Sequence, residues 1–342
     1  MAKVFDKMAS LVDFSPDDVA EFFSLAATLS PGEVGGVLGY LLGRLDSHDA
    51  AAVISVMRRL HPQRTFKTAD GRTTVNLVGT GGGPSTFNIT TTVAFVVAAA
   101  GVVVIKTGSS ACRSKSGFAD VAAKLGTLKL AMPWEQLEAI VADVGIVFIP
   151  PAHYAPILGT LVDNLTPPIY RNVASYLNKI GPLMAPVRVD HQFIGANSLS
   201  CLEMLAGACC LLGDVPATLV SSEDGMDEVS TMAPSRVIQL TSDGNRNDET
   251  IDPRELGIRP PAADALEGYD ITQAAECCER ILGGEGTTAQ SEIVALNAGV
   301  VLTSLGLCSD LAQGLDAARK ILRDGAGLRK LEQLRKRVWK NG

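Results

Sequence analysis

The stretch that most constrains this 342-residue chain begins near Thr73. A short buried-type run (VNLV, 75–78) leads into GTGGGPSTFNITTT and then into an apolar helical segment over 93–100. A buried-type strand passing through a glycine-rich turn into a helix opens an α/β unit. The alternation continues with VVVIK at 102–106, a Gly/Ser loop, helices over 119–125 and 134–144, and a strand over 146–149. It resumes with a strand over 192–195, a helix over 199–212 and a strand over 217–221. The fold class this predicts is α/β, with a mostly parallel central sheet and flanking helices.

The first 65 or so residues read as helices alone. Ser15-Pro16 and Ser30-Pro31 each supply an N-cap hydroxyl and a proline suited to the first helical position. A third helix is expected over 49–60, and residues 154–190 also look helical. We therefore expect a small N-terminal helical domain at 1–70, completed by helices of about 160–190, and a larger α/β domain at 71–342. Residues 241–263, rich in Asp, Asn and Pro, read as a loop. Helices should follow over 271–282, 289–305 and 310–323. The basic tail at 328–340 reads as a solvated terminal helix.

A net charge of −7 argues against bulk nucleic-acid binding. No apolar run of about 18 residues is free of polar or glycine interruptions, so no membrane span is expected. The start of the chain carries no secretory h-region. Seven cysteines without CxxC or Cys/His spacing suggest reduced thiols in the cytoplasm.

Three segments carry chemistry. Residues 79–92, between strand and helix, combine glycines that admit an anion to the backbone with hydroxyl donors and a helix N-terminus. No Gly-Lys-Ser/Thr closes this loop, so it is not a Walker loop. Lys106 ends a strand and is followed by a second loop rich in hydroxyls and cations at 107–117. In open α/β sheets, ligands lie outside such strand ends. Asp227 and Glu228 follow a third strand in an Asp-Gly turn, and paired carboxylates suit a hard cation that bridges phosphates. A phosphorylated sugar with a Mg²⁺-bound leaving group would use all three.

VNLVGTGGGPSTFNITTTVAF, VVVIKTGSSACRSKSGFADVAAKLG, LNKIGPLMAPVRVDHQFIGA and DGMDEVS, in that order and spacing, resemble the anthranilate phosphoribosyltransferase family over essentially the whole chain. The resemblance implies a homodimer with the active site between a helical and an α/β domain. It also implies transfer of ribose 5-phosphate from 5-phosphoribosyl pyrophosphate (PRPP) to an aromatic amine. Position by position, Gly79, Gly82, Thr86, Asn88, Thr90, Thr91, Lys106 and Ser114 would contact PRPP, with Lys106 and Asn88 as the catalytic pair. Asp227 and Glu228, with Thr90, would hold Mg²⁺. Ser109, Arg171 and His153 would face the acceptor.

The sequence departs from the family pattern mainly at the acceptor end. Gly83 stands for an acidic residue, Thr107, Ser109 and Ser110 for His, Asn and Arg, Phe118 for Ser, and Ala174 for the arginine that pairs with the anthranilate carboxylate. The acceptor is therefore expected to be anthranilate or a related aromatic amine. The residues also leave open a paralogue for another heteroaromatic acceptor, a phosphorylase-like enzyme, or a PRPP-binding protein without turnover.

Overall fold

The computed structural model describes residues 1–66, 68, 71–108, 117–163, 165, 172–213, 216–262 and 264–340. Four helices come first: α1 (Ala2–Ala9), α2 (Pro16–Leu25), α3 (Pro31–Arg44) and α4 (Ser47–Leu60). The two Ser-Pro signals act as expected. Ser15 with Asp18, and Ser30 with Glu33, form reciprocal capping boxes at α2 and α3. Such a cap contributes about 1 kcal/mol.

The chain then runs through β1 (Arg64–Thr65), β2 (Thr74–Gly79), α5 (Ile89–Ala99), β3 (Val103–Lys106), α6 (Phe118–Lys124), α7 (Trp134–Val144) and β4 (Ile146–Phe148). Helices α8 (Pro156–Asp163) and α9 (Ser175–Ile180) interrupt the alternation before β5 (Val187–Arg188) and β6 (His191–Gly195). Next come α10 (Leu199–Leu212), β7 (Ala217–Ser222), β8 (Ser235–Leu240) and β9 (Arg246–Ile251). Four helices close the chain: α11 (Ile271–Leu282), α12 (Thr288–Ser304), α13 (Leu311–Arg323) and α14 (Ala326–Trp339).

The main sheet has seven strands in the order β4-β3-β2-β6-β7-β8-β9. The first five are parallel, and β8 and β9 add antiparallel pairings at one edge. A two-stranded parallel pair, β1 with β5, joins the two passages between the helical region and the sheet.

Strand alternation sends side chains to two cores. Val75 and Leu77 of β2 join α5, α12 and α14 on one face, whereas Val78 joins α4, α10 and the N-terminal helices on the other. Helix α5 is apolar around almost its whole circumference because α11–α14 enclose it. β2 is thus buried at the centre of the sheet, and its carboxyl end delivers the glycine-rich loop.

Two expectations are corrected. Residues 241–263 are not all loop, because β8 and β9 form a hairpin across 241–245. β9 (RNDETI) is exposed except at Ile251, so it carries no apolar alternation. Ion pairs among Glu203, Arg236, Arg246 and Asp248 line this hairpin, a charged surface that discourages strand addition. The basic tail is also not simply solvated. Arg335 Nε donates to the Leu125 carbonyl at 2.7 Å, Trp339 Nε1 to Gly126 at 2.8 Å and Lys330 Nζ to Val144 at 3.0 Å. Its cations and indole therefore cap the carboxyl ends of α6 and α7, where the dipole favours positive charge.

Candidate active site at the strand ends

β2 and β6 are adjacent and in register, so Gly79 and Gly195 lie side by side at their carboxyl ends. Asp227 passes directly over both. A β-carbon on Gly79 would overlap the Asp227 Oδ2, and one on Gly195 would overlap the Asp227 carbonyl oxygen. The same carboxylate oxygen accepts the Gly81 N–H at 2.7 Å. Gly83 meets the Gly225 carbonyl just as closely, which gives its bare α-carbon a steric reason. The glycine loop and the acidic turn thus meet backbone against backbone at Gly83 and Gly195 and backbone against the Asp227 carboxylate at Gly79, a fit that needs missing side chains on both strand ends.

Asp227 and Glu228 are coupled by a hydrogen bond between their side chains, and Thr90 Oγ1 donates to Glu228 Oε1 at 2.9 Å. Burial, then the neighbouring Asp227 charge, pushes the Glu228 carboxyl up to about 8, and burial raises Asp227 as well. A proton is therefore retained between the two acids at neutral pH. Two half-buried carboxylates and a hydroxyl form a hard-oxygen donor set at the wall of a small cavity that Gly195 and Phe193 also line. A divalent cation removes the repulsion that raises these carboxyls, so the donor set fits Mg²⁺.

The backbone behind this pair is fixed by Asn297 of α12. Its Oδ1 accepts the Val229 N–H at 2.9 Å and its Nδ2 donates to the Val229 carbonyl at 2.8 Å. Sequence reasoning missed this residue. Its only signal is an asparagine within an otherwise apolar helical run.

Lys106 was expected to emerge from its strand end toward a ligand, but it is 3% exposed. Its Nζ donates back to the Leu77 carbonyl at 2.8 Å and lies 5.0 Å from the Phe118 ring centroid. Burial lowers its pKa to about 7, and the charges of Glu228 and Asp227 partly offset that. Lys106 is thus the counter-charge behind the acidic pair. Beside it, Thr107 donates its N–H and hydroxyl to Asn76 Oδ1, and Asn76 donates to Gln192 Oε1 at 3.0 Å. This buried polar ladder ties the ends of β3, β2 and β6 together.

The remaining expected contacts divide. Gly79 ends β2, Gly82, Thr86 and Asn88 lie along the loop into α5, and Thr90 sits in the first turn of that helix. Thr86 bridges to Glu267, and Asn88 precedes the first turn of α5. Thr91 is buried within that turn. Ser114, Ser109 and Arg171 lie outside the described residues. His153 is already engaged, since its Nε2 meets the Met132 carbonyl at 2.7 Å and its ring lies 4.1 Å from that of Trp134.

The segments that build this site fall within the region matched to known proteins. The profile described as Glycosyl transferase family, a/b domain, matches residues 71–328. The chain is similar to the anthranilate phosphoribosyltransferase of Synechococcus sp. (strain WH7803), 35% identical over 91% of this chain and 88% of that one. The solved anthranilate phosphoribosyltransferase from Thermus thermophilus superposes with a TM-score of 0.84 at 27% identity, covering 98% of this chain and 99% of that one. The enzyme from Saccharomyces cerevisiae, solved in complex with PRPP and Mg, shares the fold with a TM-score of 0.86 at 20% identity, over 99% and 98% of the two chains. With its matched α/β domain and full-length relatives, the chain belongs to the anthranilate phosphoribosyltransferase family.

Proposed function

We propose that this chain is a Mg²⁺-dependent phosphoribosyltransferase that moves ribose 5-phosphate from PRPP to an aromatic amine, anthranilate or a related acceptor. The observation that carries this is the half-buried Asp227–Glu228 pair, held against the 79–83 loop by the bare glycines at Gly79 and Gly195. Family membership and the Mg and PRPP in the yeast neighbour support the same assignment.

Asp227 and Glu228, with Thr90, would hold Mg²⁺, which supplies neutralisation of the leaving pyrophosphate. The protein's own groups do the positioning. The 79–92 segment offers backbone N–H groups, hydroxyls and the N-terminus of α5 to the phosphates. Gly79, Gly82, Thr86, Asn88, Thr90, Thr91 and Ser114 make up that side, while Lys106, turned back to the Leu77 carbonyl, acts from behind the acidic pair. As the bond from the anomeric carbon to pyrophosphate breaks, positive charge grows on the ribose, so electrostatic stabilisation and positioning should dominate. The amine nitrogen then bonds to that carbon and sheds a proton. A neutral aromatic amine is already a nucleophile, so no strong base is required.

On the acceptor side we retain Ser109, Arg171 and His153, with His153 needing to leave Met132 in order to act. We further propose a homodimer, which sedimentation tests, and a cytoplasmic location. Cys201, Cys210, Cys277, Cys278 and Cys308 are free thiols, in keeping with a reducing compartment. No helix among the described residues is long and apolar enough to cross a membrane.

Calorimetry of PRPP with and without Mg²⁺ tests the binding half. Binding that appears only with Mg²⁺ is expected, and equal affinity with a chelator present contradicts the metal assignment.

A further inference from the structure

We infer that Lys179 is a further substrate-binding residue, whose ammonium takes an oxygen of the PRPP pyrophosphate from the helical side of the cleft. This rests on the function proposed above.

Lys179 lies on α9, in the helical region, yet it reaches the glycine loop of the sheet. Its Nζ donates to Asn197 Oδ1 at 2.9 Å. The Asn197 N–H donates to Thr80 Oγ1 at 3.2 Å. The amide nitrogen of Asn197 lies 2.8 Å from where a β-carbon on Gly82 would stand. One side-chain amide thus separates the Lys179 cation from the backbone of the 79–83 loop.

The charge of Lys179 has no opposite number. Its one hydrogen bond is to a neutral oxygen, and no carboxylate among the described residues pairs with it. Lys106 differs, because its charge is answered by Asp227 and Glu228 and its ammonium is turned toward Leu77. Of these two lysines, Lys179 is the cation left over for a ligand. A lysine that exchanges an amide oxygen for a phosphate oxygen gains a shorter and stronger hydrogen bond. Because the lysine comes from the helical side, the exchange would also tie α9 to the bound pyrophosphate.

A purely structural latch between α9 and Asn197 needs a hydrogen-bond donor but no charge. K179Q keeps a donor and removes the charge, while K179R keeps the charge. PRPP affinity is measured by calorimetry with Mg²⁺ at two salt concentrations, alongside the acceptor KM and the denaturation midpoint. We expect K179Q to weaken PRPP binding about ten- to hundredfold and reduce its salt dependence, with an unchanged midpoint. K179R should recover most of the affinity. A parent chain that binds PRPP while K179Q binds it equally overturns the role of Lys179 alone. So does a K179Q effect confined to acceptor KM, which would place the cation on the acceptor. A parent that does not bind Mg²⁺ and PRPP overturns the functional reading itself.

Discussion

The Asp227 carboxylate occupies the space that a side chain on Gly79 would fill, and it accepts the Gly81 N–H from that position. Gly79→Ala should therefore push the carboxylate off the loop. We expect Mg²⁺-dependent PRPP affinity to fall at least about tenfold, the loss of one charge-assisted contact. Gly43 of α3 is a control, since a β-carbon there meets nothing within 4 Å. Gly43→Ala should leave binding unchanged and stabilise the protein by roughly 0.5–1 kcal/mol. Calorimetry and denaturant midpoints read both, and equal binding by Gly79→Ala contradicts the cradle.

Removing the charges themselves gives the metal test. Asp227→Asn with Glu228→Gln should abolish the Mg²⁺ dependence of PRPP binding and keep the fold, because amides of the same shape replace the acids. A double variant that still binds and turns over PRPP like the parent would place the metal elsewhere.

The raised Glu228 carboxyl makes metal binding depend on pH. Without metal, the folded protein holds this proton up to about pH 8, whereas the unfolded chain loses it in the ordinary carboxylate range. The sign follows from that difference. Its contribution to stability is full below the ordinary range and is lost as pH rises toward about 8. Mg²⁺ must displace the proton, so its affinity should rise with pH and level off near pH 8. Calorimetry at pH 7 in two buffers of different ionisation heat should show proton release. Identical heats after correction for binding would contradict a shared proton.

Lys106→Met removes the buried cation behind the acids. Mg²⁺-dependent PRPP binding should weaken about ten- to hundredfold, and the pH at which metal affinity levels off should move upward. Salt dependence should change little, because this ammonium is shielded from solvent. A marked fall in salt slope would mean that Lys106 turns outward to meet phosphate.

Asn297→Leu leaves the Val229 N–H and carbonyl without their side-chain partner. A buried, unsatisfied backbone pair costs about 1–3 kcal/mol. The denaturation midpoint should drop accordingly, and PRPP affinity with it as Glu228 loses its anchor. A variant with a lowered midpoint and parental PRPP affinity would confine Asn297 to a structural role.

The central strands and the glycine loop were legible in the sequence because their residue types answer one local demand each. VNLV reads as a buried strand because β2 is covered on both faces, with Asn76 bonded to a neighbouring strand, and the glycines sit where the acidic turn and Asn197 close on the loop. β9 was not legible, since an exposed edge strand has no apolar period to read. Yet Asp243-Gly244, with Gly244 at φ +85°, was an available turn signal. Lys106 was legible as a cation at a strand end but not in its direction, because sequence does not record that its ammonium turns back to the carbonyl of Leu77 on the neighbouring strand. Lys179 and Asn297 went unread for a similar reason. Their partners, Asn197 and Val229, are distant in sequence and are brought close only by the fold.

The most direct measurement is steady-state pyrophosphate release from PRPP with a panel of aromatic amines that includes anthranilate, with and without Mg²⁺. We predict release matched by consumption of anthranilate or a related amine, at a turnover of about 1 s⁻¹ or more. It should be dependent on Mg²⁺ and lost in the Asp227→Asn, Glu228→Gln variant. No release with any amine, in a chain that binds PRPP and Mg²⁺, would contradict the transferase, and release indifferent to the double substitution would contradict the site.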